Sequence, residues 1–198
     1  MFFMSLFKFS SSNPYLSDPN VQLMLDFQNG NKAAFETLMG QYYRRILNFI
    51  YRYLGNKERA EDLTQEVFIK VYHEQNHYRP TAQFRTWLYT IAKNLSFNEL
   101  KRHHHKSVSL DQFQTLDVED QTAHPDKILA DEEMANVVKK VISELPENQR
   151  MALILRRYDN FSYEEIAETM GLSSQAVKSL LNRAKDNLRL KLGKFIKE

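Results

Sequence analysis

The sequence predicts an all-α protein, with two small helical domains joined by a flexible acidic linker and a helix-turn-helix in the second domain. Three observations carry that expectation. Apolar residues recur at three- and four-residue spacing over long stretches, the pattern of helices with one buried face. Only five glycines and five prolines occur in 198 residues, few for a sheet-rich chain with many tight turns. Charge is also unevenly placed: between Ser107 and Asn136 eight acids face a single lysine, Lys127, although the whole chain carries a net +2. Two basic blocks separated by an acidic connector fit polyanion binding in two places.

Taken in order, residues 1–20 are expected to be a disordered tail, broken by Ser10, Ser11, Ser12, Pro14 and Pro19. Met1 to Phe9 is apolar but lacks the basic start and cleavage site of a signal peptide, and no run reaches the roughly 18 apolar residues of a membrane span. The absence of cysteine excludes disulfides and thiolate metal sites and fits a reducing compartment, so a cytoplasmic location is expected.

The first domain, residues 21–106, holds helices at Val21 to Gln28, Lys32 to Leu54, Lys57 to His73 and Phe84 to His104. The second of these has the stripe Phe35, Leu38, Met39, Tyr42, Ile46, Phe49, Ile50 and Tyr53. The third buries Ala60, Leu63, Val67, Phe68 and Val71 and turns Asp62, Gln65 and Glu66 outward. Asn76 to Gln83 breaks the pattern around Pro80, because the residue before proline is pushed out of helical geometry. The linker is residues 107–125, and the second domain, residues 126–198, opens with helices at Asp126 to Leu145 and Glu147 to Tyr158.

Asn160 to Leu192 then reads as a helix-turn-helix. Ser162 caps its first helix and Glu165, three residues on, completes a capping box. Gly171 supplies the turn, Leu172 is expected to tuck beneath it, and Ser173 caps the second helix. Val177, Leu180, Leu181, Ala184 and Leu188 form its buried stripe. Ser174, Gln175, Lys178, Ser179, Asn182 and Arg183 lie opposite, where amides and guanidinium forks read base edges and lysines meet phosphates.

Two further patterns bear on chemistry. His73-Glu74-Gln75-Asn76-His77 matches the HExxH pattern of zinc hydrolases, but it falls where the helix is failing and has no evident third ligand, so no metal is expected. Tyr78, Phe84, Trp87 and Tyr89 alternate with Arg79 and Arg85, an arrangement suited to stacking unpaired bases. Trp87 also shares helical spacing with Leu88, Ile91 and Leu95, so a core role fits it equally. Asn94, Asn98, Lys101 and Arg102, with His103, His104 and His105, extend a polar, cationic surface suited to nucleic acid.

Several blocks resemble the extracytoplasmic-function group of bacterial RNA polymerase sigma factors, in the sigma-70 superfamily. They are Gly30 to Glu36, Leu54 to Asn56 with Ala60 to Phe68, Phe84 to Asn94, Leu145 to Arg150, and Tyr163 to Ala167. The resemblance implies a protein without catalysis or cofactor that binds core polymerase and directs it to promoters. It assigns Asp62, Gln65 and Glu66 to the clamp helices of the polymerase's largest subunit, with the flap as a second contact. Asn76, Tyr78, Arg79, Phe84, Trp87, Asn94, Asn98, Lys101 and Arg102 fall to recognition and melting of the −10 element. Ser174, Gln175, Lys178, Ser179, Asn182 and Arg183 fall to the −35 duplex. It further implies an anti-sigma factor as partner and no membrane insertion. Asn98 departs from the aspartate common in relatives, and the tail is longer than the family usually carries. The rival readings are a free-standing helix-turn-helix regulator and a zinc hydrolase built on His73, Glu74 and His77.

Overall fold

A computed structural model describes residues 13–106 and 128–193. The expected linker, residues 1–12 of the tail, and the side chains of His103, His104 and His105 lie outside the described residues. Among the described residues every regular element is helical. They are α1 (Pro19–Gln28), α2 (Lys32–Leu54), α3 (Lys57–His73), α4 (Phe84–Lys106), α5 (Ile128–Ser143), α6 (Glu147–Arg157), α7 (Tyr163–Met170) and α8 (Ser174–Leu192). Single 3-10 turns occur at Pro14–Ser17 and Gln75–His77.

Order begins earlier than the expected tail allows. Asn13 caps the Pro14–Ser17 turn and also donates from Nδ2 to the carbonyl of Pro80 at 2.9 Å. Asp18 serves two helices at once. Its Oδ1 accepts from the Asn20 N–H at the start of α1, and its Oδ2 accepts from the Phe84 N–H at the start of α4. A carboxylate at two helix N-termini satisfies orphan donors and complements both dipoles. The sequence signal was present in Asp18-Pro19, an N-cap followed by proline at the first helical position.

Helix α2 is the axis of the N-terminal half. Leu38, Tyr42, Ile46, Phe49, Ile50 and Tyr53 are buried along it, while Phe35 and Met39 are half-buried at its margin. Gly55, at φ 74°, ends α2 in the left-handed region that an L side chain adopts only under strain. Helix α3 lays Ala60, Leu63, Val67, Phe68 and Val71 against α2, as its period predicts.

In the C-terminal half the capping box forms as read: Glu165 N–H donates to Ser162 Oγ, and Ser162 N–H donates to Glu165 Oε2 at 2.8 Å. Gly171 closes α7 at φ 66°. Leu172 does not tuck under the turn; it is 38% exposed. The turn is closed instead by main-chain bonds, including Leu172 N–H to the Ala167 carbonyl at 2.9 Å. Val177 and Ala184 anchor α8, and Leu180, Leu181 and Leu188 are half-buried beside them.

The two halves share one continuous apolar core, running from α2 and α4 into α6 and α7. Tyr89 packs its ring at a tilt on Phe161, centroids 4.8 Å apart, and donates its hydroxyl to Asp159 Oδ1 at 2.6 Å. Arg150 crosses the same seam, donating to the carbonyl of Tyr53 at 2.9 Å. Burial pushes the Asp159 carboxyl up to about 6; the Tyr89 bond and the guanidinium groups of Arg52, Arg45 and Arg85 oppose that only in part. A value above the ordinary 3.8 means that the folded chain holds the extra proton between about pH 4 and 6, so stability falls as pH rises through that window. Asp159→Asn keeps the shape without the charge. Urea unfolding should find it more stable than the natural chain by roughly 2–3 kcal/mol near neutral pH, with the difference vanishing near pH 4.

Candidate functional site

Three surfaces carry the residues singled out by sequence. On α3, Asp62, Gln65 and Glu66 are all exposed, and Asp62 accepts from Arg59 Nη1 at 3.0 Å. Ile69 and Tyr72 continue the same ridge at helical spacing and are 55% and 41% exposed. They escaped the sequence reading, although neither fits the buried stripe of α3. Tyr72 rests one side of its ring on Phe27 and Phe35, at 5.4 and 5.5 Å, while Ile69 stands clear, so this face combines acidic groups with exposed apolar surface.

The second surface is a cavity of about 520 Å³ where the end of α3, the Gln75–His77 turn and α4 meet. It brings together Tyr78, Arg79, Trp87, Asn94 and Asn98 from the expected set, and adds Lys70, Glu74, His77, Thr81, Ile91 and Leu95. Asn76, Lys101 and Arg102 are exposed but lie outside it. Gln28 holds the loop from beneath, donating to the Gln75 carbonyl at 2.8 Å.

Two aromatics expected to stack on bases belong to the core instead. Phe84 is fully buried against Tyr42, and only 3% of Tyr78 reaches the surface, its ring edge-on to Trp87 at 4.9 Å. The apolar stripe of α2 draws Phe84 inward, and burial pushes the Tyr78 phenol far above its usual range. Tyr89 is likewise buried, and Arg85 is bound to Glu165 across the seam. Trp87 is half-buried and lines the cavity, which leaves it as the aromatic face available there.

The third surface is the outer face of α8. Ser174, Gln175, Lys178, Ser179, Asn182 and Arg183 are all exposed along it. Ser173 Oγ accepts from the Ala176 N–H at 3.2 Å, so the helix begins where the reading requires.

The HExxH pattern does not form one helical face. His73 is the last residue of α3, Glu74 caps it, and His77 lies in the following 3-10 turn, 3.9 Å from Glu74. A zinc hydrolase needs both histidines on successive turns of one helix. Among the described residues no group of three histidine or carboxylate side chains is placed to hold a metal ion.

An all-α chain with a capped, exposed second helix after a glycine turn is a helix-turn-helix DNA-binding protein. Comparison with known proteins narrows this. The family models described as Sigma-70 region 2 and Sigma-70 region 4 match residues 38–106 and 135–188. The chain is 32% identical over 184 residues to the RNA polymerase sigma-H factor of Pseudomonas aeruginosa, covering 89% of this chain and 95% of that protein. It is 32% identical over 177 residues to the ECF RNA polymerase sigma-E factor of Escherichia coli K12, covering 86% and 92%. The sigma factor RpoE of Bartonella quintana, solved with the anti-sigma factor NepR, superposes with a TM-score of 0.65 at 25% identity, over 80% of this chain and 96% of that one. The chain belongs to the sigma-70 family, in its extracytoplasmic-function group, whose members direct promoter-specific transcription initiation.

The Tyr78 hydroxyl is buried without a protein partner. Tyr78→Phe should therefore leave the thermal midpoint unchanged or slightly raised, within about 1 kcal/mol of the natural chain, because no hydrogen bond is lost.

Proposed function

We propose that residues 21–106 bind core polymerase and capture the opened −10 element, that residues 126–198 hold the −35 duplex, and that the chain catalyses no covalent reaction. The acidic ridge of Asp62, Gln65 and Glu66, extended by Ile69 and Tyr72, docks on the clamp helices of the largest subunit. The cavity beside Trp87 receives one base turned out of the non-template strand. Trp87 offers it a face, Asn94 and Asn98 offer donors and acceptors, and Lys70 and Arg79 meet the flanking phosphates. Asn76, Lys101 and Arg102 steer the backbone nearby. On the duplex, Ser174, Gln175, Lys178, Ser179, Asn182 and Arg183 contact base edges and phosphates in the major groove.

The observation that carries this reading is the open cavity lined by both charged and aromatic groups, for which a free-standing helix-turn-helix regulator has no use. Work on core polymerase places this action in the cytoplasm; among the described residues no helix is long and apolar enough to cross a membrane. The Bartonella quintana relative, solved with an anti-sigma factor, supports a partner of that class here.

Reconstitution with core polymerase, followed by sequencing of DNA upstream of the transcripts, tests the whole reading. A shared pair of upstream elements is expected, and random start sites would reject it. Asp62→Ala with Ile69→Ala should weaken polymerase binding at least several-fold while leaving the fold intact, as both side chains are exposed. Arg183→Ala should lower affinity for the selected duplex by about 1–3 kcal/mol, measured at fixed salt.

A further inference from the structure

The loop that walls the cavity beside Trp87 is held by side chains from far earlier in the chain. Between Tyr78 and Thr81 burial alternates: Tyr78 and Pro80 point inward, while Arg79 and Thr81 are exposed. This stretch is neither helix nor strand, so no ladder of main-chain bonds fixes its path. Three side chains 47 to 67 positions away bind its main chain instead. Asn13 Nδ2 donates to the Pro80 carbonyl at 2.9 Å, and Asp18 Oδ2 accepts from the Phe84 N–H at 3.0 Å. Gln28 Nε2 donates to the Gln75 carbonyl at 2.8 Å and lies 3.3 and 3.4 Å from those of Asn76 and Tyr78.

The posts that carry these ties are themselves anchored. Tyr15 and Leu16 pack against the core, and Gln22 Nε2 donates to the Leu16 carbonyl at 2.6 Å. Val21, Met24 and Phe27 are buried along α1, and Phe27 stacks on Phe35 at 4.8 Å just before Gln28. Asn13, Asp18 and Gln28 all lie outside residues 38–106, the part that matches Sigma-70 region 2. Tyr78, Arg79 and Thr81 line the cavity, so its shape follows the path of the main chain that they share. A pocket for a base taken from its stack gains affinity when that shape exists beforehand, because ordering a loop at capture is subtracted from binding.

We infer that Asn13 and Gln28, with Asp18, are positioning residues for base capture: they fix the main chain of residues 75–84 in the path that the cavity requires. This rests on the sigma-factor reading above. None of the three lines the cavity, so they act through the loop and not on the base. Releasing the ties lets the loop leave its competent path, and affinity falls by the fraction of time spent away from it.

The test uses an Asn13→Ser, Gln28→Met chain. Serine still caps the Pro14–Ser17 turn but is too short to reach Pro80, and methionine keeps the stem of Gln28 without its donor. Neither change adds charge that DNA would feel. In the free chain, amide hydrogen exchange between Gln75 and Phe84 should be at least tenfold faster in the variant. With core polymerase, promoter DNA from the reconstitution experiment, single-stranded at its −10 element, should bind the variant about tenfold more weakly. An abasic scan on the natural chain finds the captured base, and DNA lacking that base should bind both chains equally. Ile50→Val, at the far end of α3 from the loop, controls for stability. It should lower the thermal midpoint yet leave affinity for the −10 strand unchanged. Unchanged exchange, unchanged affinity, or a loss that persists on the abasic DNA would overturn the inference, as would an equal loss in Ile50→Val. If the double variant loses helicity, Gln28→Met alone is read by the same measures. Random start sites from the natural chain, with exchange still faster in the variant, defeat the sigma-factor reading and leave the ties. Promoter-specific start sites with unchanged exchange defeat the ties alone.

Discussion

Seven side chains of α2, from Ala34 to Tyr53, leave water on one stripe, and α1, α3, α4 and α6 all pack against that helix. A large apolar side chain contributes about 1.5–3 kcal/mol on full burial, so this stripe outweighs any polar contact in the molecule, before the entropy of ordering is set against it. It also explains placements that local sequence does not. Phe84 and Tyr89 start α4 with ring edges against Tyr42 and Phe49, and that orientation turns Arg85 toward α7 while leaving Trp87 beside the cavity.

The polar groups that matter are tied to helix ends. Asp18 joins the starts of α1 and α4, and Asn13 and Gln28 secure the loop that forms one wall of the cavity. Glu165 caps α7 and receives Arg85 with its other oxygen. Burial alone would raise the Glu165 carboxyl, but Arg85 and the Ser162 N–H outweigh it and hold the group below its usual range. Asp159, with fewer compensating donors, goes the other way. One seam thus contains a carboxylate stabilised as a charge and another that favours its proton, and the difference lies in hydrogen-bond supply.

Much of the fold was legible because helical period, caps and breakers are local. The stripes of α2 and α3, the Ser162–Glu165 box, and the stops at Gly55 and Gly171 all follow from residues within a few positions of one another. The outward face of α8 was legible for the same reason. The aromatic cluster near Pro80 was not. Tyr78, Phe84, Trp87 and Tyr89 look alike in sequence, and only tertiary packing separates the three buried rings from Trp87, which stays half-buried at the cavity that Tyr78 also lines. Ile69 and Tyr72 were passed over because an apolar residue on a helix reads as core unless its angle is compared with the stripe already assigned.

By itself the sequence determined the helices, their capped ends, the buried stripe of each and the outward polar face of α8, since all depend on neighbours within a turn or two. Tertiary structure alone decided that Asp18 serves two helices, that the cavity gathers residues from α3, a loop and α4, and that Arg85, Tyr89 and Arg150 bind the two halves together. Those contacts join residues 66 to 97 positions apart. No local preference encodes such pairs, because they exist only once the apolar stripes have brought the helices into register.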